Sequence, residues 1–191
     1  MQLKASHASR PKMGETVNGD GVVVRQEGMR VLIAVVDALG HGPVAADVKH
    51  KAVAHLESVS LELGIKRILE GLHASLRGTR GAAAMVCGLD MGAGGVLEGC
   101  GVGNVDLRVM GANIPIVLSP GVLGGQVRNM RVFKGEVGQG SRLVLFSDGI
   151  SSRAAFDGLR RVAPAAACEQ VLASHSYTHD DATVLIADLE P

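Results

Sequence analysis

The stretch VVDALGHGPVAA, residues 35–46, decides how this chain is read. It continues Val31-Leu32-Ile33-Ala34, so a strand-like apolar run ends on Asp37. Gly40 and Gly42 then allow a sharp turn. Pro43 follows at a position suited to the first turn of a helix. A carboxylate is therefore held at the end of a core strand, beside the positive end of a helix.

Working outward, residues 22–25 and 29–37 read as a hairpin turning near Glu27-Gly28. After Pro43, Val44, Val48, Ala52, Leu56, Val59 and Leu63 recur every three or four residues, predicting one helix that stops at Gly64. Ile65, Ile68, Leu69, Leu72 and Leu76 predict a second helix, ending before Gly78. Residues 82–89 form a strand candidate, followed by a glycine-rich turn at residues 92–95 with strands on both sides. Further strands are expected at residues 105–110, 114–118, 126–137, 143–146 and 183–187, with a third helix at residues 164–173. Helices segregated among meandering strands indicate an α+β fold rather than a doubly wound sheet.

Composition narrows the function. The 191 residues suit one domain, expected over 1–191 with no separate sensor domain. Lys+Arg and Asp+Glu number 19 each, so no net basic field holds nucleic acid or an anionic membrane. Phe133, Phe146, Phe156 and Tyr177 are the only aromatic residues, too few for base stacking. The chain has no 18-residue apolar run, and its first ten residues lack an apolar signal core, so a cytoplasmic protein is expected. Cys87, Cys100 and Cys168 are isolated, which fits a reducing compartment and argues against a disulfide framework or a CxxC zinc site.

The acids carry the chemistry. Asp20 opens a strand after Asn18-Gly19, and Asp37 ends one. Asp148 follows residues 143–147 and precedes Gly149, while Asp180 and Asp181 stand just before the last strand. Taken singly, each reads as a turn or a cap. Turns do not require the same acid at four strand ends, however, and carboxylates brought together repel unless a cation joins them. Hard oxygen ligands select Mg²⁺ or Mn²⁺ over Zn²⁺. His50, His55 and His73 fall on predicted helix surfaces, whereas His41, between two glycines near Asp37, is a candidate site residue.

Four segments, Asn18-Gly19-Asp20, Asp37-Ala38-Leu39-Gly40-His41-Gly42, Phe146-Ser147-Asp148-Gly149 and Asp180-Asp181-Ala182-Thr183, occur in an order that resembles the type 2C metal-dependent serine/threonine phosphatases. Within that class the chain is similar to the SpoIIE-like branch. The resemblance implies a four-layer αββα sandwich, two antiparallel sheets flanked by helices, with two Mn²⁺ or Mg²⁺ ions at one end. It implies that Asp37 bridges the ions, that Asp148 and Asp180 bind one, and that Asp20 and the Ala38 carbonyl serve the other. Asp181 and Asn18 would align these ligands from behind. The small size and the DALGHG variant resemble a stand-alone phosphatase that resets the stressosome, a signalling complex controlling a general stress response. Phosphorylated STAS-domain proteins would be its substrates and partners, and a monomer is expected.

Two positions depart from the family pattern. Ala38 stands where the branch commonly has Gly, which serves if only the carbonyl binds and φ is negative. Leu39 stands where eukaryotic relatives carry a proton-donating His, so His41 is the candidate acid, with water as the alternative. Lys12, Arg10 and Arg153 are candidates to grip phosphate. The expected reaction is hydrolysis of phosphoserine or phosphothreonine by metal-activated water, without a phospho-enzyme. Neither GxxxxGK[ST], DxD[TV] nor CxxxxxR occurs, so ATP hydrolysis, aspartyl-phosphate chemistry and cysteine phosphatase chemistry are unsupported. The rival readings are a catalytically weak module that docks on phosphoproteins and a hydrolase of small phosphate esters.

Overall fold

The computed structural model describes residues 1–191 except Ala93, so that part of the expected turn at residues 92–95 lies outside the described residues. The fold is mixed α+β, with two sheets and three α-helices among the described residues. One sheet has four antiparallel strands in the order β1 (Gln2–Arg10), β10 (Ala182–Glu190), β9 (Arg142–Phe146) and β6 (Asp106–Met110). The other runs β2 (Asp20–Glu27), β3 (Arg30–Ala38), β4 (Ala82–Asp90), β5 (Val96–Val102) and β7 (Leu118–Ser119), with β8 (Phe133–Glu136) also on β5. The helices are α1 (Gly42–Ser58), α2 (Ile65–Ser75) and α3 (Pro164–His175).

Alternation of side chains explains why β3 is apolar throughout. Leu32, Ala34 and Val36 pack with Val48, Leu56, Ile68 and Leu72 of α1 and α2. Val31, Ile33 and Val35 point the other way and pack with Leu143, Leu145, Leu185 and Ala187 of the four-stranded sheet. A strand covered on both faces has no polar side to show. The same split divides β9, whose Val144 and Phe146 pack with Cys168 and Val171 of α3. Each fully buried Val, Leu, Ile or Phe contributes roughly 1.5–3 kcal/mol, which fixes the strand ends that carry the acids.

Several expectations need correction. The larger sheet is not wholly antiparallel, since β7 pairs in parallel with β5. Residues 114–118 and 126–137 contain only the short strands β7 and β8, because this connection forms turns and isolated bridges instead. The helix from Pro43 does not reach Gly64. It ends at Ser58, and a 3₁₀ turn, Leu61–Leu63, follows with Ser60 capping the Glu62 N–H at 3.3 Å. Val44 and Leu63 are exposed and lie outside the apolar stripe. Strand β1 was not expected; its mixed sequence pairs residue for residue with β10 along its whole length. Cys87, Cys100 and Cys168 are buried and free of disulfide bonds. No described helix is long and apolar enough to cross a membrane.

Candidate metal centre

The two sheets bring the expected acids to one end. In the larger sheet Asp20 and Asp37 are register partners across β2 and β3. In the smaller sheet Val184 pairs with Phe146, so Asp148, just past β9, lies beside Asp180 and Asp181, just before β10. Ser147 joins the sheets: its hydroxyl donates to Asp20 Oδ2 at 2.6 Å and accepts from the Thr183 N–H at 3.0 Å.

Asp20 is buried, Asp37 and Asp180 are half-buried, and Asp148 is exposed. Burial pushes the Asp37 carboxyl up to about 9, and repulsion from Asp20, Asp148 and Asp180 adds to the rise. Interaction with the Asp148 carboxylate adds a smaller contribution in the same direction. Burial likewise pushes Asp20 up to about 7, opposed by the hydroxyls of Ser147 and Thr183. Although its side chain reaches the surface, Asp148 is raised by partial loss of solvent and by Asp180, and it accepts from Asn104 Nδ2. None of the five aspartates pairs with a Lys or Arg among the described residues. The carboxyls of Asp20, Asp37 and Asp148 are thus raised with no cationic side chain among the described residues to relieve them.

As the side chains stand, no group of three or more His, Cys, Asp or Glu among the described residues is arranged to hold a metal ion. The donor set nonetheless fits one chemically. It is all hard oxygen, it is partly dehydrated, and Asp20, Asp37 and Asp148 carry raised proton affinities that a divalent cation would reverse.

The supporting residues are more tightly tied than the sequence indicated. Asp181 accepts the Lys12 N–H at 2.7 Å and the Gly19 N–H at 2.8 Å, stitching the loop before β2 to the start of β10. Asn18 Oδ1 accepts the Asp20 N–H at 2.7 Å, and its Nδ2 donates to Ser9. Gly149 is required by close approach: a Cβ there would stand 1.8 Å from the Asp181 carbonyl oxygen. Ala38 is buried, and no residue other than glycine has positive φ among the described residues, so its backbone meets the condition set above.

His41 Nδ1 lies 2.7 Å from Glu15 Oε1, a partner that sequence reasoning missed. Ser147 and Asn104 were missed as well; Ser147 could have been marked by its place beside Asp148, while Asn104 carried no signal. Of the phosphate-gripping candidates, Arg10 is engaged by Ser176 Oγ and the carbonyls of Pro11 and Tyr177, so it secures a loop.

No family model and no curated protein matches the chain. Among solved structures, one described as "The bacterial stressosome: a modular system that has been adapted to control secondary messenger signaling" is 30% identical, with a TM-score of 0.91. That match covers 98% of this chain and 100% of the other. RsbX in complex with magnesium matches at 20% identity and a TM-score of 0.85, over 98% of this chain and 96% of that one. The phosphatase domain of the cell fate determinant SpoIIE from Bacillus subtilis matches at 18% identity and a TM-score of 0.79, over 99% and 64%. Two packed sheets with acids at one end thus form the type 2C phosphatase fold. The chain belongs to the SpoIIE-like branch of that family.

Proposed function

We propose that this chain is a protein phosphatase that hydrolyses phosphoserine or phosphothreonine with Mn²⁺ or Mg²⁺. The observation that carries this reading is the set of Asp20, Asp37, Asp148 and Asp180, mutually repelling and without a basic partner. The three apolar clusters, one under α1 and α2, one between the sheets and one under α3, support reading the architecture as a four-layer αββα sandwich.

Asp37 would bridge two ions, Asp148 and Asp180 would hold one, and Asp20 with the Ala38 carbonyl would serve the other. A bound divalent cation supplies Lewis-acid polarisation of the phosphoryl group and activates water as nucleophile. The chain's own residues orient this set. Ser147 fixes Asp20, Asn18 fixes the Asp20 backbone, and Asp181 holds the β2 loop against β10. Glu15 engages Nδ1 of His41, so the doubly protonated imidazolium would pass its Nε2 proton to the departing serine or threonine oxygen, leaving the neutral ring with its Nδ1–H on Glu15. Phosphorylated STAS-domain proteins of a stressosome are the substrates favoured by the likeness to the stressosome structure, and the three free cysteines fit a cytoplasmic setting.

The test is phosphate release from a phosphoseryl protein with Mn²⁺, using Asp37→Ala as control. Metal-dependent release that falls at least about 100-fold in the variant supports the reading. No release, with tight binding of the phosphoprotein, would favour the docking module. Much faster cleavage of small esters would favour the ester hydrolase.

A further inference from the structure

The loop that leaves Asp37 carries a second feature, which the acids do not explain. Gly40 has φ +92, and Arg80 Nη1 stands 2.9 Å from where a Cβ at Gly40 would be. The glycine thus admits the guanidinium as well as the turn. Arg80 is exposed and forms no hydrogen bond or ion pair among the described residues. Its backbone is well fixed. Leu39 N donates to Gly81 O at 3.0 Å, Ala38 pairs with Ala82, and Gly81 N donates to Thr79 Oγ1 at 3.0 Å. Arg80, Thr79 and Gly78 form one wall of a cleft of about 290 Å³, and Val44, Asp47, Val48 and Lys51 of α1 form the other. Beside it, Leu39 and Val44 are 38% and 49% exposed, a high value for large apolar side chains so near a candidate site.

We propose that this cleft receives the substrate segment flanking the phosphorylated residue, and that Arg80 pairs with an acidic side chain of that segment. The inference rests on the phosphoprotein reading above. Reach supports it. Gly40 is three residues from Asp37, so at most roughly 11 Å of chain separates them, and an extended peptide covers that span in about three residues. Charge supports it too. The cleft offers an unpaired Arg80 with Lys51 against the single acid Asp47, and a guanidinium binds a carboxylate in two parallel hydrogen bonds. Leu39 and Val44 supply apolar surface for the intervening side chains.

The experiment measures binding of labelled phosphoserine peptides to the full chain with Mn²⁺, by fluorescence anisotropy, with turnover followed separately. One peptide carries Glu three residues from the phosphoserine, one Ala and one Lys, with the direction of the offset varied. The native chain should prefer Glu over Ala by roughly 3- to 10-fold, as one partly screened ion pair allows. Arg80→Ala should remove the preference, and Arg80→Glu should turn it towards Lys. No discrimination by the native chain, or discrimination that survives Arg80→Ala, overturns the proposal whether or not the peptides are hydrolysed. Turnover alone reports on the phosphatase reading, so the two can fail separately.

Discussion

Asp20 and Asp37 face each other as register partners across two adjacent strands, and both carboxyls are pushed well above the ordinary range, to about 7 and about 9. A stable core would not select this arrangement. Burying like charges costs free energy that packing elsewhere must offset, and such acids mark functional sites.

The first prediction concerns stability against pH. In the unfolded chain Asp37 loses its proton near pH ~4, whereas in the fold it holds it up to about 9. Its contribution is therefore fullest below about pH 4 and is lost as pH rises towards 9. The metal-free Tm should fall between pH 5 and pH 8, and Asp37→Asn should flatten most of that fall. A pH-independent Tm in the native chain would contradict the burial argument.

Cation binding should show the opposite slope. A divalent ion must displace the proton held by Asp37 and, below about pH 7, the one on Asp20. Mn²⁺ should bind more tightly at pH 8 than at pH 6 and release about one proton per site near neutrality. Calorimetric titration in two buffers of different ionisation enthalpy measures this directly.

Ser147→Ala should destabilise the chain while leaving every proposed ligand side chain in place, although Asp20 loses its hydroxyl partner. It removes the 2.6 Å bond to Asp20 and leaves the Thr183 N–H without its 3.0 Å acceptor. Losing a buried partner costs about 1–3 kcal/mol, read from urea unfolding with an unchanged m-value.

Gly149→Ala should separate Asp148 from Asp181. A Cβ placed 1.8 Å from a carbonyl oxygen forces the backbone apart, at a cost of about 1–3 kcal/mol or more. Phosphate release should fall further than the stability loss explains, which comparison at a temperature well below the variant's Tm will show.

The site's acids were legible because each sits at a sharp change from an apolar run to a turn, as at Asp37 and Asp148. Strands β3, β4, β9 and β10 were legible for the same reason. The connection from residue 111 to residue 137 was not, because its apolar residues pack into the core from irregular chain and an isolated bridge, as Ile114 and Leu123 do. Strand β1 was hidden by its position at a sheet edge, where only Ala8 is fully buried and polar side chains are tolerated. Glu15 and Arg80 were invisible for another reason. Their importance lies in what they touch, His41 and the space over Gly40, and neither contact has a spacing in sequence that predicts it.

The central claim, that the acids at the sheet ends form one cation site, is tested most directly by anomalous diffraction from crystals soaked in Mn²⁺. The account predicts manganese peaks within ligand distance, about 2.0–2.6 Å, of carboxylate oxygens of Asp37 and at least two of Asp20, Asp148 and Asp180. It also predicts that the peaks vanish in Asp37→Asn. Manganese bound elsewhere, or retained unchanged in that variant, would contradict it.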